Sequence, residues 1–235
     1  MILAGGFGTR IRHLMPNLPK PMASVLGKPF ISWICQYLQD QGYKSCQIST
    51  GYLGKKIENY FNHWNTKKIL TVNCISEVTP LGTGGAIIHT TIKSKKRPKA
   101  WLIMNGDSLI PISIKNIEEF FFSLNVDALL IGLKKKDASR YGTLQFDSKQ
   151  RLKSFTEKKP GYGVINSGIY FFKNNLLEAF PKEKSFSLEK DVFPRLLNNN
   201  FDIRVYTCNA PFIDIGTPKT LAEAQSFISS HFLNG

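Results

Sequence analysis

Apolar side chains along this chain recur in two rhythms. Phe30, Trp33, Ile34, Tyr37 and Leu38 repeat at helical spacing, and Gly42 follows as a stop. Short apolar runs of strand length lie between such stretches, bounded by Gly, Asn and Asp. The pattern predicts strands at 2–3, 46–49, 69–75 and 100–104, and helices through 30–38, 54–61 and 85–92. The last of these strands runs straight into Asn105-Gly106-Asp107. Strand and helix alternate through this half, which predicts a mainly parallel sheet with helices on both faces. Only Ile2-Leu3 stand for the first strand, where a strand usually has about five or six residues. This reading therefore expects further residues upstream of Met1.

Beyond residue 110 the rhythm changes. The pattern predicts helices at 112–124, 187–197 and 218–232, and strands at 127–133, 164–172 and 203–208. Two further runs, 141–146 and 152–156, read as antiparallel strands around an Asp147-Ser148 turn. Ser187 and Thr217 stand where helix caps belong.

A length of 235 residues suits a single α/β domain with a full-sized core. Hydrophobic residues at 42% and charged residues at 20% give the balance of a folded chain, not a disordered one. No apolar run approaches the ~20 residues of a membrane span. The N-terminus shows no secretory signal, so a cytoplasmic protein with no membrane partner is expected. Cys35, Cys46, Cys74 and Cys208 are scattered without a CxxC pair, as reduced and mostly buried thiols would be. His13, His63, His89 and His231 show no metal-ligand spacing.

The formal net charge of +14 admits three readings. Lys93-Ser94-Lys95-Lys96-Arg97-Pro98-Lys99 and Lys134-Lys135-Lys136 could face nucleic acid. No RNP, helix-turn-helix or zinc-knuckle pattern accompanies them, so no nucleic-acid partner is expected. Solvated loop charge is the second reading. The third is a positive field that draws in anionic substrates.

The densest chemistry opens the chain. Met1-Ile2-Leu3-Ala4-Gly5-Gly6-Phe7-Gly8-Thr9-Arg10 breaks from an apolar run into a glycine loop that closes on Thr9 and Arg10. Glycines let successive backbone N–H groups turn inward and form a concave anion site suited to phosphate. Arg10 adds a planar cation that can grip phosphate oxygens in a fork. Lys20 then stands between Pro19 and Pro21, whose fixed φ holds its backbone.

Glycine loop and proline-flanked lysine together resemble the signature of the sugar-1-phosphate nucleotidylyltransferases. The resemblance continues at Leu81-Gly82-Thr83-Gly84-Gly85-Ala86, Asn105-Gly106-Asp107, Glu157-Lys158, Asn166-Ser167-Gly168 and Phe212-Ile213-Asp214-Ile215-Gly216-Thr217-Pro218, in family order over nearly the whole chain. It implies the Rossmann-like α/β fold of nucleotide-diphospho-sugar transferases as one domain, 1–235. Residues 1–110 would be its nucleotide-binding half and 111–235 its sugar-binding half. The β-helix domain that larger members append is not expected. The implied reaction is attack by a sugar 1-phosphate oxygen on the α-phosphorus of a nucleoside triphosphate, with pyrophosphate leaving.

The resemblance also implies roles. Leu3, Ala4, Gly5, Gly6, Gly8 and Thr9 would wrap the nucleotide, Arg10 would hold the departing pyrophosphate, and Lys20 would neutralise charge at the α-phosphate. Arg10, Lys20 and Asp107 form the catalytic set. Asp107 and Asp214 would hold Mg²⁺, which favours few carboxylates. Gly82, Thr83 and Gly84 would form a base-recognition loop, and Glu77 would either serve the base or close its strand. Glu157 and Lys158 would bind the sugar phosphate, with Gly142, Asn166 and Gly168 in the same pocket. The family has proline directly after that lysine; here Lys159 intervenes before Pro160, so Lys158 and Lys159 compete for the role. Ser187 and Glu189 would touch the sugar or cap their helix.

Within the family, residues 80–86, 140–143 and 186–191 look most like the branch that uses GTP and D-glycero-α-D-manno-heptose 1-phosphate for bacterial surface polysaccharide. A branch using GTP or UTP with a hexose or N-acetylmuramate 1-phosphate stays open. So does a relative that binds nucleotide or nucleic acid without turnover. Family members commonly dimerise, which leaves a homodimer open as well.

Overall fold

The computed structural model describes residues 1–64, 69–156 and 160–233. Along the chain come β1 (Ile2–Ala4), β2 (Ser24–Val25), β3 (Lys28–Pro29), α1 (Phe30–Asp40), β4 (Ser45–Thr50), α2 (Gly54–Trp64), β5 (Thr71–Ser76) and α3 (Gly82–Ser94). They are followed by β6 (Ala100–Asn105), β7 (Ser108–Leu109), α4 (Ile114–Leu124), β8 (Ala128–Lys135), β9 (Thr143–Phe146), β10 (Leu152–Thr156) and β11 (Gly163–Lys173). The chain closes with α5 (Phe193–Asn198), β12 (Ile203–Cys208), β13 (Ile213–Asp214) and α6 (Pro218–Ile228).

A nine-stranded mixed sheet forms the centre. β5, β4, β1 and β6 lie side by side in parallel. β11 runs antiparallel between β6 and β8, and β12 lies parallel to β8 at the edge. β9 and β10 attach as an antiparallel pair to the start of β11. Register brings the three central strands to a common end: Ala4 of β1 pairs with Thr50 of β4, and Leu3 with Asn105 of β6. Open α/β sheets bind ligands beyond this carboxyl edge.

Apolar residues are consecutive in these strands because both faces are covered. Leu129, Ile131 and Leu133 of β8 join one core with Phe30, Ile34, Phe121 and Ile228. Ala128 and Leu130 join the other with Ile87, Phe180, Phe193 and Leu196. Helices α1, α4 and α6 therefore cover one face, and α3 and α5 the other. Phe121 stacks on Phe171 with ring centroids 5.6 Å apart. Burying one such ring contributes roughly 1.5–3 kcal/mol. The four cysteines are free thiols, with Cys35 and Cys46 buried. Among the described residues no helix is long and apolar enough to cross a membrane.

Several boundaries depart from the sequence pattern, three of them in helices near the site or the core. The helix predicted from 112 begins at Ile114, because Ser113 takes the cap and its Oγ accepts from Asn116 N at 3.3 Å. The helix predicted over 187–197 splits into a wide turn at Leu188–Val192 and α5. Pro194 has no N–H to donate back to Lys190, and Phe193 N–H reaches Leu188 O instead. Residues 82–84, read as a loop, form the first turn of α3.

Candidate active site

The glycine loop springs from the end of β1 and is tied down at its far side. Ile11 is 1% exposed, and its N–H donates to Gly8 O at 3.1 Å. Gly8 has φ +58°, and a Cβ there would stand 2.8 Å from Lys20 Cβ. The loop thus closes against the lysine stem, and only glycine allows both the turn and the approach. Phe7 rests on Tyr52 at 5.5 Å between ring centroids. Gly6, Thr9 and Arg10 are exposed.

Lys20 opens a short 3₁₀ turn after Pro19 and is buried to 8% exposure. Its Nζ donates to Asp107 Oδ2 at 2.6 Å and to Asp214 Oδ1 at 3.2 Å. The two carboxylates come from segments far apart in sequence. Gly106 N–H donates to Leu3 O, which carries the turn after β6 across the end of β1. β7 pairs with β13, so that Asp214 faces Ser108, and Ile215 N–H donates to Asp107 O at 3.0 Å. Two neighbouring, partly desolvated carboxylates require a cation, and Lys20 provides one. The Arg10 guanidinium lies over Gly216 beside them, with Nη2 3.0 Å from where a Cβ would stand.

Lys20, Asp107, Arg10 and Gly216 border a cavity of about 450 Å³, the size of a small-molecule site, and Asp214 stands behind them outside its lining. Its wall includes Leu3, Ala4 and the whole loop from Gly5 to Arg10. Lys20, Asp107, Asn105 and Gly216 add to it, and Glu77, Pro80, Gly82, Thr83 and Ala86 complete it. The Glu77 carboxyl is half-buried, with Oε1 2.6 Å from where a Cβ on Gly5 would stand. Burial raises its pKa, and its buried Oε2 has no hydrogen-bond partner among the described residues.

The sequence of residues 1–231 matches the Nucleotidyl transferase family. The chain belongs to that family. A D-glycero-alpha-D-manno-heptose 1-phosphate guanylyltransferase of Aneurinibacillus thermoaerophilus is 36% identical over 229 residues, 96% of this chain and 96% of its own. The enzyme of the same name from Campylobacter jejuni subsp. jejuni is 33% identical over 224 residues, 93% of this chain and 95% of its own. The crystal structure of HddC from Yersinia pseudotuberculosis has a TM-score of 0.85 to this chain at 33% identity, with 97% of each chain covered. HddC complexed with GMP-PN gives 0.83. The mixed sheet with helices on both faces is the fold of these nucleotidyl transferases.

In this nucleotidyl transferase the residues expected around the nucleotide meet in one place, with one exception. Gly84 is buried, and its N–H, like that of Gly85, donates to Phe186 O at 3.0 and 3.3 Å. A Cβ on Gly84 would strike the Phe186 ring at 2.5 Å. Its smallness therefore serves packing, and only Gly82 and Thr83 of that motif reach the cavity. On the sugar side, Asn166 Nδ2 donates to Tyr170 OH at 2.7 Å and its Oδ1 accepts from Gly168 N. Asn166 N–H donates to Gly142 O at 3.2 Å. Gly168 has φ +78°, and Asn105 Nδ2 fills the space of its missing Cβ, 2.3 Å away. These residues shape a bulge in β11 that presses on a cavity-lining side chain, and none of them lines the cavity itself. Glu157, Lys158 and Lys159 lie outside the described residues.

Sequence reasoning passed over Phe7, Pro21, Pro80, Ala86, Asn105 and Gly216 as lining residues and left Glu77 undecided. The signal for Glu77 was its place at the end of a strand opposite the glycine loop, where it pairs back through Glu77 N–H to Thr50 O at 2.8 Å. Thr217 serves α6: it and Thr220 form a capping box, each side chain accepting from the other's N–H at 3.2 Å.

Proposed function

We propose that this nucleotidyl transferase moves a guanylyl group from GTP to D-glycero-α-D-manno-heptose 1-phosphate, releasing pyrophosphate and forming the GDP-linked heptose. The observation that carries the reaction is that Lys20 and Asp107, which line the cavity together with the glycine loop, meet Asp214 just behind its wall. The full-length likeness to two heptose 1-phosphate guanylyltransferases supports the substrates.

Phosphoryl transfer of this kind depends on position and charge. The loop from Gly5 to Arg10 binds the triphosphate through backbone N–H groups. Arg10 grips the pyrophosphate as it leaves, and Lys20 meets the negative charge that gathers on the α-phosphate. Asp107 and Asp214 fit Mg²⁺: they are a pair of carboxylates that already share a cation, and Mg²⁺ takes few carboxylates beside water and phosphate oxygens. When bound there, the ion supplies charge neutralisation for the phosphates. Glu77 lines the same cavity as Pro80 and Gly82, and its carboxylate suits the paired N–H donors on one edge of guanine. By resemblance, Glu157 and either Lys158 or Lys159 take the sugar phosphate from the other half of a single domain.

The test is pyrophosphate release with Mg²⁺, crossing four nucleoside triphosphates with sugar 1-phosphates that include the heptose. Turnover confined to GTP with the heptose phosphate is the expected result. Turnover with another pair keeps the reaction and replaces the substrates. Silence with every pair overturns the proposal.

A further inference from the structure

We propose that Lys20 is a resident counter-cation that the metal must displace. In the nucleotide-free protein its ammonium keeps the place between Asp107 and Asp214. Metal binding pushes that ammonium off the carboxylates and toward the nucleotide phosphates. The inference rests on the metal reading of Asp107 and Asp214 given above.

Occupancy comes first. Lys20 Nζ is at hydrogen-bond distance from both carboxylates at once, 2.6 and 3.2 Å. Lys20 and Asp214 are largely hidden from water, with side chains 8% and 13% exposed. A lysine in solvent would make and break such contacts freely. Here the pair is desolvated, and losing the ammonium without a replacement would leave two like charges facing one another. A divalent ion on the same oxygens, at about 2.0–2.1 Å, would be pressed against the ammonium and repelled by it. Ammonium and metal therefore compete for one seat.

The path of the displaced group follows from the backbone. Pro19 and Pro21 hold the residue on either side, so the Cα stays while the flexible four-carbon stem swings. That stem passes directly beneath Gly8, where a Cβ would stand 2.8 Å from Lys20 Cβ and 3.7 Å from Lys20 Cδ. An ammonium leaving the carboxylates thus has the glycine loop, and any phosphate bound there, as its neighbour. Metal and nucleotide then assist each other: phosphate accepts the ammonium that metal evicts. Without nucleotide the eviction has no compensation, and the site takes metal poorly.

The experiment uses Mn²⁺ titrated into the nucleotide-free protein, with free Mn²⁺ read by electron paramagnetic resonance. Lys20→Met removes the charge and keeps most of the stem; it is expected to tighten Mn²⁺ binding about tenfold or more. Lys20→Arg keeps the charge and is expected to stay near wild type. Equal or weaker binding by Lys20→Met overturns the proposal. Asp107→Asn, made in the wild-type and Lys20→Met proteins, separates this failure from a failure of the metal reading. If Asp107→Asn weakens Mn²⁺ binding while Lys20→Met changes nothing, only the exchange is wrong. If no Mn²⁺ binds in any protein, or Asp107→Asn has no effect, the metal reading falls and the exchange with it. Should Lys20→Met fail to fold by circular dichroism, Mn²⁺-soaked crystals of the wild type decide. Lys20 Nζ more than about 4 Å from at least one carboxylate is expected, whereas metal on the carboxylates with both lysine contacts intact overturns the proposal.

Discussion

Gly6 and Gly8 stand two residues apart in one loop, yet their surroundings demand different things. A Cβ on Gly6 would meet nothing within 4 Å, whereas Gly8 combines φ +58° with the Lys20 stem beneath it. Gly8→Ala is expected to lose about 1–2 kcal/mol of stability from the left-handed backbone alone, and more from the shifted lysine. Gly6→Ala should stay within about 0.5 kcal/mol of wild type. Urea melts of the two variants check this contrast. Asp107→Asn should cut turnover by about 100-fold or more with an unchanged melt, read by pyrophosphate release. Glu77 gives a pH signature. Burial raises its carboxyl above 4.5, so above that value the folded protein keeps a proton that the unfolded chain has released. Stability from this group is therefore fully present below pH 4.5 and falls as pH rises through the raised value. Glu77→Gln should remove that fall, seen as a wild-type-minus-variant difference in melts from pH 4.5 upward. At this scale the sequence displayed the loop, the lysine and the arginine openly, because glycine and proline carry their backbone meaning locally. Glu77 stayed ambiguous because its value depends on Gly5 and Gly51 lying beside it, and adjacency across strands has no local mark.

Among the elements, α3 shows how a distant segment finishes what a local pattern begins. Its first-turn N–H groups at Gly84 and Gly85 are satisfied by Phe186 O, and Thr83 Oγ1 accepts from Leu188 N at 2.7 Å. Glu189 accepts from Ser187 Oγ at 3.1 Å and lies 3.5 Å from Thr83 Oγ1. Residues 186–189 thus fasten the cavity-lining end of α3 to the second half of the chain. Thr83→Val strands the Leu188 N–H, and a loss of about 1–3 kcal/mol is expected by thermal or urea melt. Thr83→Ser keeps the acceptor and should lose far less. Strands β4, β8, β11 and β12 and helices α1 and α6 were legible within a few residues, since two-faced burial and helical spacing are written into consecutive side chains. The start of α3 was not, because glycines mask a helix signal and its cap comes from a carbonyl about a hundred residues onward.

Across the whole molecule, the order of motifs was enough to read the fold and the chemistry together, by resemblance. The meeting of Lys20, Asp107 and Asp214 could not be read from spacing, because it depends on β7 finding β13. The reading of the +14 net charge as a field for anionic substrates is testable at this scale. Long-range attraction of anionic substrates weakens as salt shortens the Debye length. kcat/KM is expected to drop several-fold, by an amount on the order of tenfold at most, between low and high ionic strength while kcat holds; steady-state assays across a salt series check it. The β7–β13 ladder has a further meaning for a chain under synthesis. A nascent polypeptide that has emerged only as far as β12 already owns the parallel block, the glycine loop and the buried lysine. It still lacks Asp214, and so has only one of the two carboxylates. The carboxylate pair proposed for the metal is therefore completed only when β13 emerges and joins β7.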